Sequence, residues 1–549
     1  MEPKLNNNNN NNNDDDYFLI TSTIMTSSQS RRRQSLLLTT KQQHKNVNNN
    51  TRQKRIYDLL RHLPNFLLRF LRLVSFIFCL LPAFIVFLYH YFACDRIAVY
   101  YGVKDAEENN GERMWMSRHY LDVYGSRTPH VNSNNDEEEK TKKPVVIFLI
   151  GGAWIIGYRM WGCLLARALV PFGILVIIPD YRNFPRVNIK GMVDDVDRSI
   201  QWVLDHVEEY GGDVDRVVLV GQSAGAHIGG VVVAKKVLDW IGDRRVELQQ
   251  QCQQQQRQQP SFQRGQRTTN NEEYCCHLKS TYSPKQLCGF ITTSSPHNLV
   301  TMRSVFHRHG LSASVQKSIF GGISGSDDDD GDYDEIAKKS AAATANNHDE
   351  DDIDVFEAWS PYHLVKKCET EFVTLISEAN ANNSNSNNES IDQLKHIFPK
   401  LCVVHGTSDK TVPVEEAIEF LSLLSDLHIP AQSKIYPGWS HTDPILEKPM
   451  VGNHSYHRDI YDLVCLWTAG GSSSAVSDGF CNGNVVGCSS EDSEHKSKSA
   501  EIMGIVNDSS AKKTIEDDLN LLPFDETHPM LQPICPTTLV EIARVCNPF

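Results

Sequence analysis

Three residues, far apart in the chain, are of types that together make a nucleophile at neutral pH: Ser223, Asp409 and His441. A serine hydroxyl attacks carbonyl carbon only weakly until an imidazole takes its proton and a carboxylate orients that imidazole. Ser223 stands in Gly221-Gln222-Ser223-Ala224-Gly225-Ala226-His227, directly after the apolar run Val217-Val218-Leu219-Val220. A G-x-S-x-G turn between a buried strand and a helix is so tight that side chains two positions either side of the serine would collide with its neighbours. The strain exposes the hydroxyl and points the Ala224 amide, at the helix N-terminus, toward any oxyanion that forms.

The chain order serine, acid, histidine is that of the α/β-hydrolases. Asp409 follows the predicted strand 400–405 in Gly406-Thr407-Ser408-Asp409, and His441 follows the next one, 431–436. Each lies just past the C-terminal end of a strand, the edge where open α/β sheets bind their ligands. Asp443 lies too close to His441 in sequence to be favoured as its orienting carboxylate. Further oxyanion donors are expected from the loop after the third strand, where Gly151, Gly152 and Ala153 let backbone amides face the developing charge. Ile150 replaces the histidine usual before such glycines, which removes a side chain but no amide. Trp154, Trp161, Phe184 and Phe306 are candidate walls of an apolar acyl or prenyl pocket, with core packing as the competing reading. His227 reads as a packing or capping residue.

The elements that must position these residues alternate strand and helix, the pattern of a mostly parallel sheet. Strands are predicted near 97–101, 120–124, 145–150, 175–178, 217–220, 287–292, 400–405 and 431–436. Helices are predicted near 161–170, 192–209, from the elbow to about Trp240, and 414–428, with a helical excursion over the site at 294–322. The expected fold is therefore α/β: a central sheet with helices on both faces and a helical cap.

Much of the 549-residue chain is polar and of low complexity: Asn6–Asn13, the Gln-rich run 249–259, the acidic runs 327–332 and 348–354, and the Asn/Ser-rich 380–388. Such segments bury too little apolar surface to offset their ordering entropy. The predicted organisation is a disordered basic arm at 1–60, an anchor at 61–95, a hydrolase domain at 96–467 and a mostly disordered tail at 468–549. Disordered inserts are expected within that domain near 244–282, 325–354 and 380–390. Excluding arm, inserts and tail leaves roughly 300 residues, enough for one domain with its own core. The net charge of −14 argues against a nucleic-acid partner. Fourteen scattered cysteines show no metal-site spacing, and neither a P-loop nor a dinucleotide-binding glycine pattern occurs, so no metal or cofactor is expected.

Leu73 to Cys94 contains no Asp, Glu, Lys or Arg and is long enough to cross a bilayer as a helix, with an in-plane anchor as the alternative. The basic residues before it place the large domain on the lumenal side by the positive-inside rule, which would expose acceptor sites at Asn388 and Asn453 to glycosylation.

The stretches Gly151-Gly152-Ala153-Trp154-Ile155-Ile156-Gly157-Tyr158, Asp180-Tyr181-Arg182-Asn183-Phe184-Pro185, Gly221 to His227 and Ser440-His441-Thr442-Asp443 resemble those of the isoprenylcysteine carbonyl methylesterases. The similarity covers roughly Tyr100 to Trp467 without the inserts. It implies hydrolysis of the methyl ester on a prenylated cysteine by a single-pass protein of endoplasmic reticulum or Golgi membranes, with the prenylcysteine ester and the lipid bilayer as partners. Prenylated proteins occupy cytosolic membrane faces, in tension with a lumenal domain. A general carboxylesterase or an arylformamidase is the alternative enzyme, and a membrane-tethered interaction protein on an inactive hydrolase scaffold is the alternative of another class.

Overall fold

The computed structural model describes residues 95–102, 118–126, 142–257, 280–321, 351–382, 391–469 and 521–546, with isolated positions between them and from 71 onward. The expected arm at 1–60 and most of the inserts lie outside the described residues. The chain divides into two compact units, 1–78 with 543–548, and 79–542 with 549. Everything below belongs to the second.

Its centre is an eight-stranded sheet of β1 (Arg96–Tyr100), β2 (Tyr120–Tyr124), β3 (Lys143–Leu149), β4 (Leu175–Pro179), β5 (Gly212–Gln222), β6 (Leu287–Thr293), β7 (Lys400–Gly406) and β8 (Ala431–Tyr436). The strand order is β1-β2-β4-β3-β5-β6-β7-β8. β2 pairs antiparallel with β1 and β4, and all other neighbours are parallel. Parallel strands are covered on both faces, which is why β3, β4 and β5 read as continuous apolar runs. Val145, Ile147, Leu149, Val217 and Leu219 join one core with Ile200 and Val203 of helix Ile189–His206 and Ile228 and Val231 of helix Ala224–Arg257. On the opposite face Phe148 packs at Gly162, and Trp467 of helix Ser455–Thr468 lies flat against Gly289, where any side chain would collide with the indole.

Several elements differ from expectation for identifiable reasons. The helix after the elbow does not stop near Trp240 but runs to Arg257. Glutamine is a good helix former, so the first part of the Gln-rich run continues a helix already nucleated by packing. Helix Asp351–Ala358 takes in the end of an acidic run, and helix Pro361–Asn382 follows it, burying Leu364, Cys368, Phe372 and Leu375 along one face. The excursion after β6 forms two helices, Leu299–Arg308 and Ala313–Phe320. In the C-terminal region, Leu521, Phe524, Leu531 and Cys535 are buried, with Phe524 against Phe172 and Tyr461, and the Cys535 amide donates to the Met450 carbonyl.

Among the described residues no helix is long and apolar enough to cross a membrane. The segment expected to span the bilayer is described at only some of its positions, and those are buried on one side and exposed on the other. Phe87 and Tyr91 are buried, and the Tyr91 hydroxyl donates to Asp122 Oδ2 at 3.2 Å. Phe84 and Phe87 pack on Trp161. Leu81, Ile85, Tyr89 and Phe92, at helical spacing, are 41, 59, 68 and 73 % exposed.

Candidate active site

Ser223 sits between β5 and helix Ala224–Arg257 with φ +53°, a left-handed conformation that a non-glycine residue adopts at a cost. Its amide donates to the Thr293 carbonyl of β6 at 2.8 Å, and its carbonyl accepts from the His227 amide at 2.9 Å. The two elbow glycines are required by contact: a Cβ at Gly221 would stand 2.5 Å from Ala226 Cα, and one at Gly225 2.3 Å from the Leu149 carbonyl oxygen. Strand β3 therefore packs directly against the start of the helix.

The structure brings together all three residues of the expected triad. His441 Nε2 lies 2.8 Å from Ser223 Oγ, and His441 Nδ1 lies 2.8 Å from Asp409 Oδ2. The other carboxylate oxygen of Asp409 accepts from the Thr411 and Val412 amides, both at 2.9 Å. Burial pushes the Asp409 carboxyl upward, but the facing His441 and His405 imidazoles outweigh it and hold it well below the usual carboxylate range. It therefore stays ionised and keeps the His441 Nδ1 proton in place. Asp443, by contrast, accepts from the Ser440 amide at 2.7 Å and shapes the loop that carries His441.

Opposite the triad, the loop after β3 approaches the nucleophile through Gly151, where a Cβ would lie 2.7 Å from Ser223 Cβ. Gly152, Ala153 and Trp154 follow with φ of +137°, +49° and +63°. A Cβ at Gly152 would be 2.3 Å from the Gly157 nitrogen, so the turn closes on itself. The Ile155 and Ile156 amides both donate back to the Gly152 carbonyl at 2.9 Å. This uses the Gly152 carbonyl to close the turn, and the amides of Gly152, Ala153 and Ala224 are the candidate oxyanion donors.

The stretch 180–185 braces that loop. The Tyr181 hydroxyl donates to the Ile150 carbonyl at 2.7 Å, Asn183 Nδ2 to the Gly157 carbonyl at 2.7 Å, and the Phe184 amide to the Trp154 carbonyl at 2.9 Å. Arg118 Nη2 also reaches the Gly157 carbonyl and pairs with Asp180 at 2.7 Å. Arg182 grips Asp195 of helix Ile189–His206 through two nitrogens at 2.9 and 2.8 Å, tying the stretch to the core. Ile150 thus serves through its carbonyl, whatever its side chain.

The four aromatic residues expected to wall a pocket do not share one surface. Trp154 is buried and meets Phe306 edge to face at 5.4 Å. Trp161 instead stacks on Phe87, and Phe184 packs half-buried against the core. Their hydrophobicity is spent on holding the loop and the N-terminal segment. His405 is a site residue that spacing alone did not single out: its Nε2 donates to the Val412 carbonyl at 2.8 Å and lies 3.4 Å from Asp409 Oδ2. The signal was its position one residue before the Gly406-Thr407-Ser408-Asp409 turn, at the end of a buried strand.

Sheet, elbow and triad define an α/β-hydrolase with an assembled Ser-His-Asp site. Two family models match: BD-FAE over residues 134–263, which contain the elbow, and the prolyl oligopeptidase family over residues 336–469, which contain Asp409 and His441. More particularly, the chain is similar to isoprenylcysteine methylesterases. It is 29 % identical over 386 residues to a probable isoprenylcysteine alpha-carbonyl methylesterase of Oryza sativa subsp. japonica, covering 70 % of this chain and 66 % of that one. A second such protein, from Arabidopsis thaliana, is 29 % identical over 389 residues, and this chain spans only 59 % of its length. The isoprenylcysteine alpha-carbonyl methylesterase of Arabidopsis thaliana is 26 % identical over 401 residues, covering 72 % of this chain and 69 % of that one. Among solved structures, a truncated carbohydrate esterase from gut microbiota aligns with 68 % of this chain and 96 % of its own at a TM-score of 0.39 and 14 % identity.

Proposed function

We propose that the protein is a serine carboxylic ester hydrolase whose substrate is the methyl ester of a prenylated cysteine. The observation that carries the ester-hydrolase reading is the continuous hydrogen-bonded line from Ser223 Oγ through His441 to Asp409, set against the positive-φ turn of Gly152, Ala153 and Trp154. The substrate is suggested by the similarity to isoprenylcysteine alpha-carbonyl methylesterases. In this mechanism His441 Nε2 takes the Ser223 proton as Oγ attacks the ester carbonyl, and the amides of Gly152, Ala153 and Ala224 receive the oxyanion. The tetrahedral adduct collapses, the His441 proton passes to methoxide, and methanol leaves. Water then attacks the acyl-enzyme with His441 again as base, releasing the free carboxylate and restoring Ser223.

The same proposal includes association with endoplasmic reticulum or Golgi membranes. Its support is the exposed row Leu81, Ile85, Tyr89 and Phe92, and the fact that a prenyl chain partitions into lipid. An in-plane anchor suits that two-sided pattern better than a span. The test is a comparison of kcat/KM on farnesylcysteine methyl ester, a short acyl ester and formylkynurenine. A preference of at least tenfold for the prenyl ester is expected. Turnover of the short ester or the formamide alone would retain the triad and overturn the substrate.

A further inference from the structure

We infer that His227, buried behind the nucleophile, is a positioning residue for the oxyanion loop, acting through the Trp154 indole; this rests on the hydrolase reading above. Trp154 Nε1 donates to His227 Nδ1 at 3.3 Å, and His227 Nε2 faces the Trp359 carbonyl at 2.8 Å. These two contacts fix the tautomer. An indole N–H can only donate, so Nδ1 must carry a lone pair, and the ring proton must sit on Nε2, where a carbonyl receives it. Burial pushes the imidazole down to about 4, so it is neutral at physiological pH and Nδ1 remains an acceptor.

The loop needs such a tether. Gly152, Ala153 and Trp154 are three successive residues at positive φ, and two of them carry side chains that disfavour that region. Strained backbone persists only where its surroundings over-determine it. Here Trp154 is held at both ends. Its carbonyl accepts from the Phe184 amide at 2.9 Å, and its ring is held edge to face by His227, Phe306 and Phe320 at 5.4, 5.4 and 5.0 Å. Among these contacts only His227 gives the indole direction, because packing lets a ring slide where a hydrogen bond does not. His227 stands one turn after Ser223 in the helix that follows it, and its amide donates to the Ser223 carbonyl. The helix that starts at the nucleophile thus also sets the position of the loop that faces it, and the amides of Gly152 and Ala153 keep register with Ser223 Oγ.

The test is a double-mutant cycle on hydrolysis of p-nitrophenyl acetate by the full chain. Trp154→Phe keeps the ring and loses the donor, His227→Leu loses the acceptor, and His227→Asn places an amide oxygen near the Nδ1 position. Each of the first two should lower kcat about tenfold to a hundredfold, the range expected for an ångström-scale displacement of a catalytic group. KM should change less than twofold, and the double variant should lose no more than either single one. His227→Asn should recover most of the rate. Additive losses, a change confined to KM, or a His227→Asn as poor as His227→Leu would overturn the assignment. If His227→Leu does not fold, Trp154→Phe and His227→Asn still decide it, through the kcat loss of one and the rate retained by the other. A wild-type chain that neither hydrolyses the ester nor reacts with a fluorophosphonate would instead overturn the hydrolase reading, and the tether with it.

Discussion

The two halves of the active site are built on opposite plans. In the proton-relay half, neither Asp409 nor His441 has a positive φ, and their side chains are aligned directly over 2.8 Å hydrogen bonds. In the proposed oxyanion half the backbone itself is the working part. It is held in an unfavourable conformation at Gly152, Ala153 and Trp154 by side chains that aim at its carbonyls and at one indole. The difference teaches where each half is vulnerable. One fails when a functional group is exchanged, the other when a hidden brace is removed.

Asp409→Asn gives the largest of the effects that sharpen this contrast. It leaves the shape nearly unchanged but removes the charge that fixes the His441 tautomer, and kcat should fall about 10⁴-fold in an ester-hydrolysis assay. A loss below tenfold would show that the relay does not depend on its carboxylate. Gly152→Ala comes next. A methyl group at φ +137°, 2.3 Å from the Gly157 nitrogen, forces the turn open, and kcat should fall about 10²- to 10³-fold, comparable with loss of an oxyanion donor. Unchanged kcat would place the oxyanion site elsewhere.

Asn183→Ala should cost less, about three- to tenfold in kcat, because the Gly157 carbonyl retains Arg118 as a donor. An effect as large as that of Gly152→Ala would mean that the brace carries the whole loop. The smallest effect is seen in stability rather than rate. Burial holds His227, His297 and His457 below the ordinary histidine range in the folded chain. The unfolded chain takes up protons near pH 6.5, which the folded chain refuses, so this stability is complete above about pH 6.5 and is lost progressively as pH falls below it. Each such group contributes a slope of up to about 1.4 kcal/mol per pH unit. Urea unfolding at pH 7.5, 6 and 5 should therefore show steady destabilisation, with a shallower slope in His227→Asn. Equal slopes would remove His227 from the titrating set.

The same contrast explains what the sequence made legible. Continuous apolar runs announced β3, β4 and β5, and the chain order of Ser223, Asp409 and His441 at strand ends announced the relay, because each depends on residue type and local spacing. The oxyanion half was legible as glycines but not as a mechanism. Nothing in the spacing says that Asn183 reaches the Gly157 carbonyl, or that Trp154 turns inward to His227 rather than lining a pocket. Those contacts join residues brought together only by the finished sheet. Helix Pro361–Asn382 was not among the predicted elements, because the acidic and Asn-rich tracts on either side obscured the helical spacing of Leu364, Cys368, Phe372 and Leu375. The burial of Phe524 and Leu531 had no local sign at all, since their partners Phe172, Tyr461 and His454 lie far back in the chain.

The most direct test of the central claim is methanol release from farnesylcysteine methyl ester by membranes carrying the wild-type chain or Ser223→Ala. The arrangement of Ser223, His441 and Asp409 predicts release by the wild type and a fall of at least about 10⁴-fold in the variant. Equal release from both would contradict it, because the ester would then be cleaved without the serine on which the site is built.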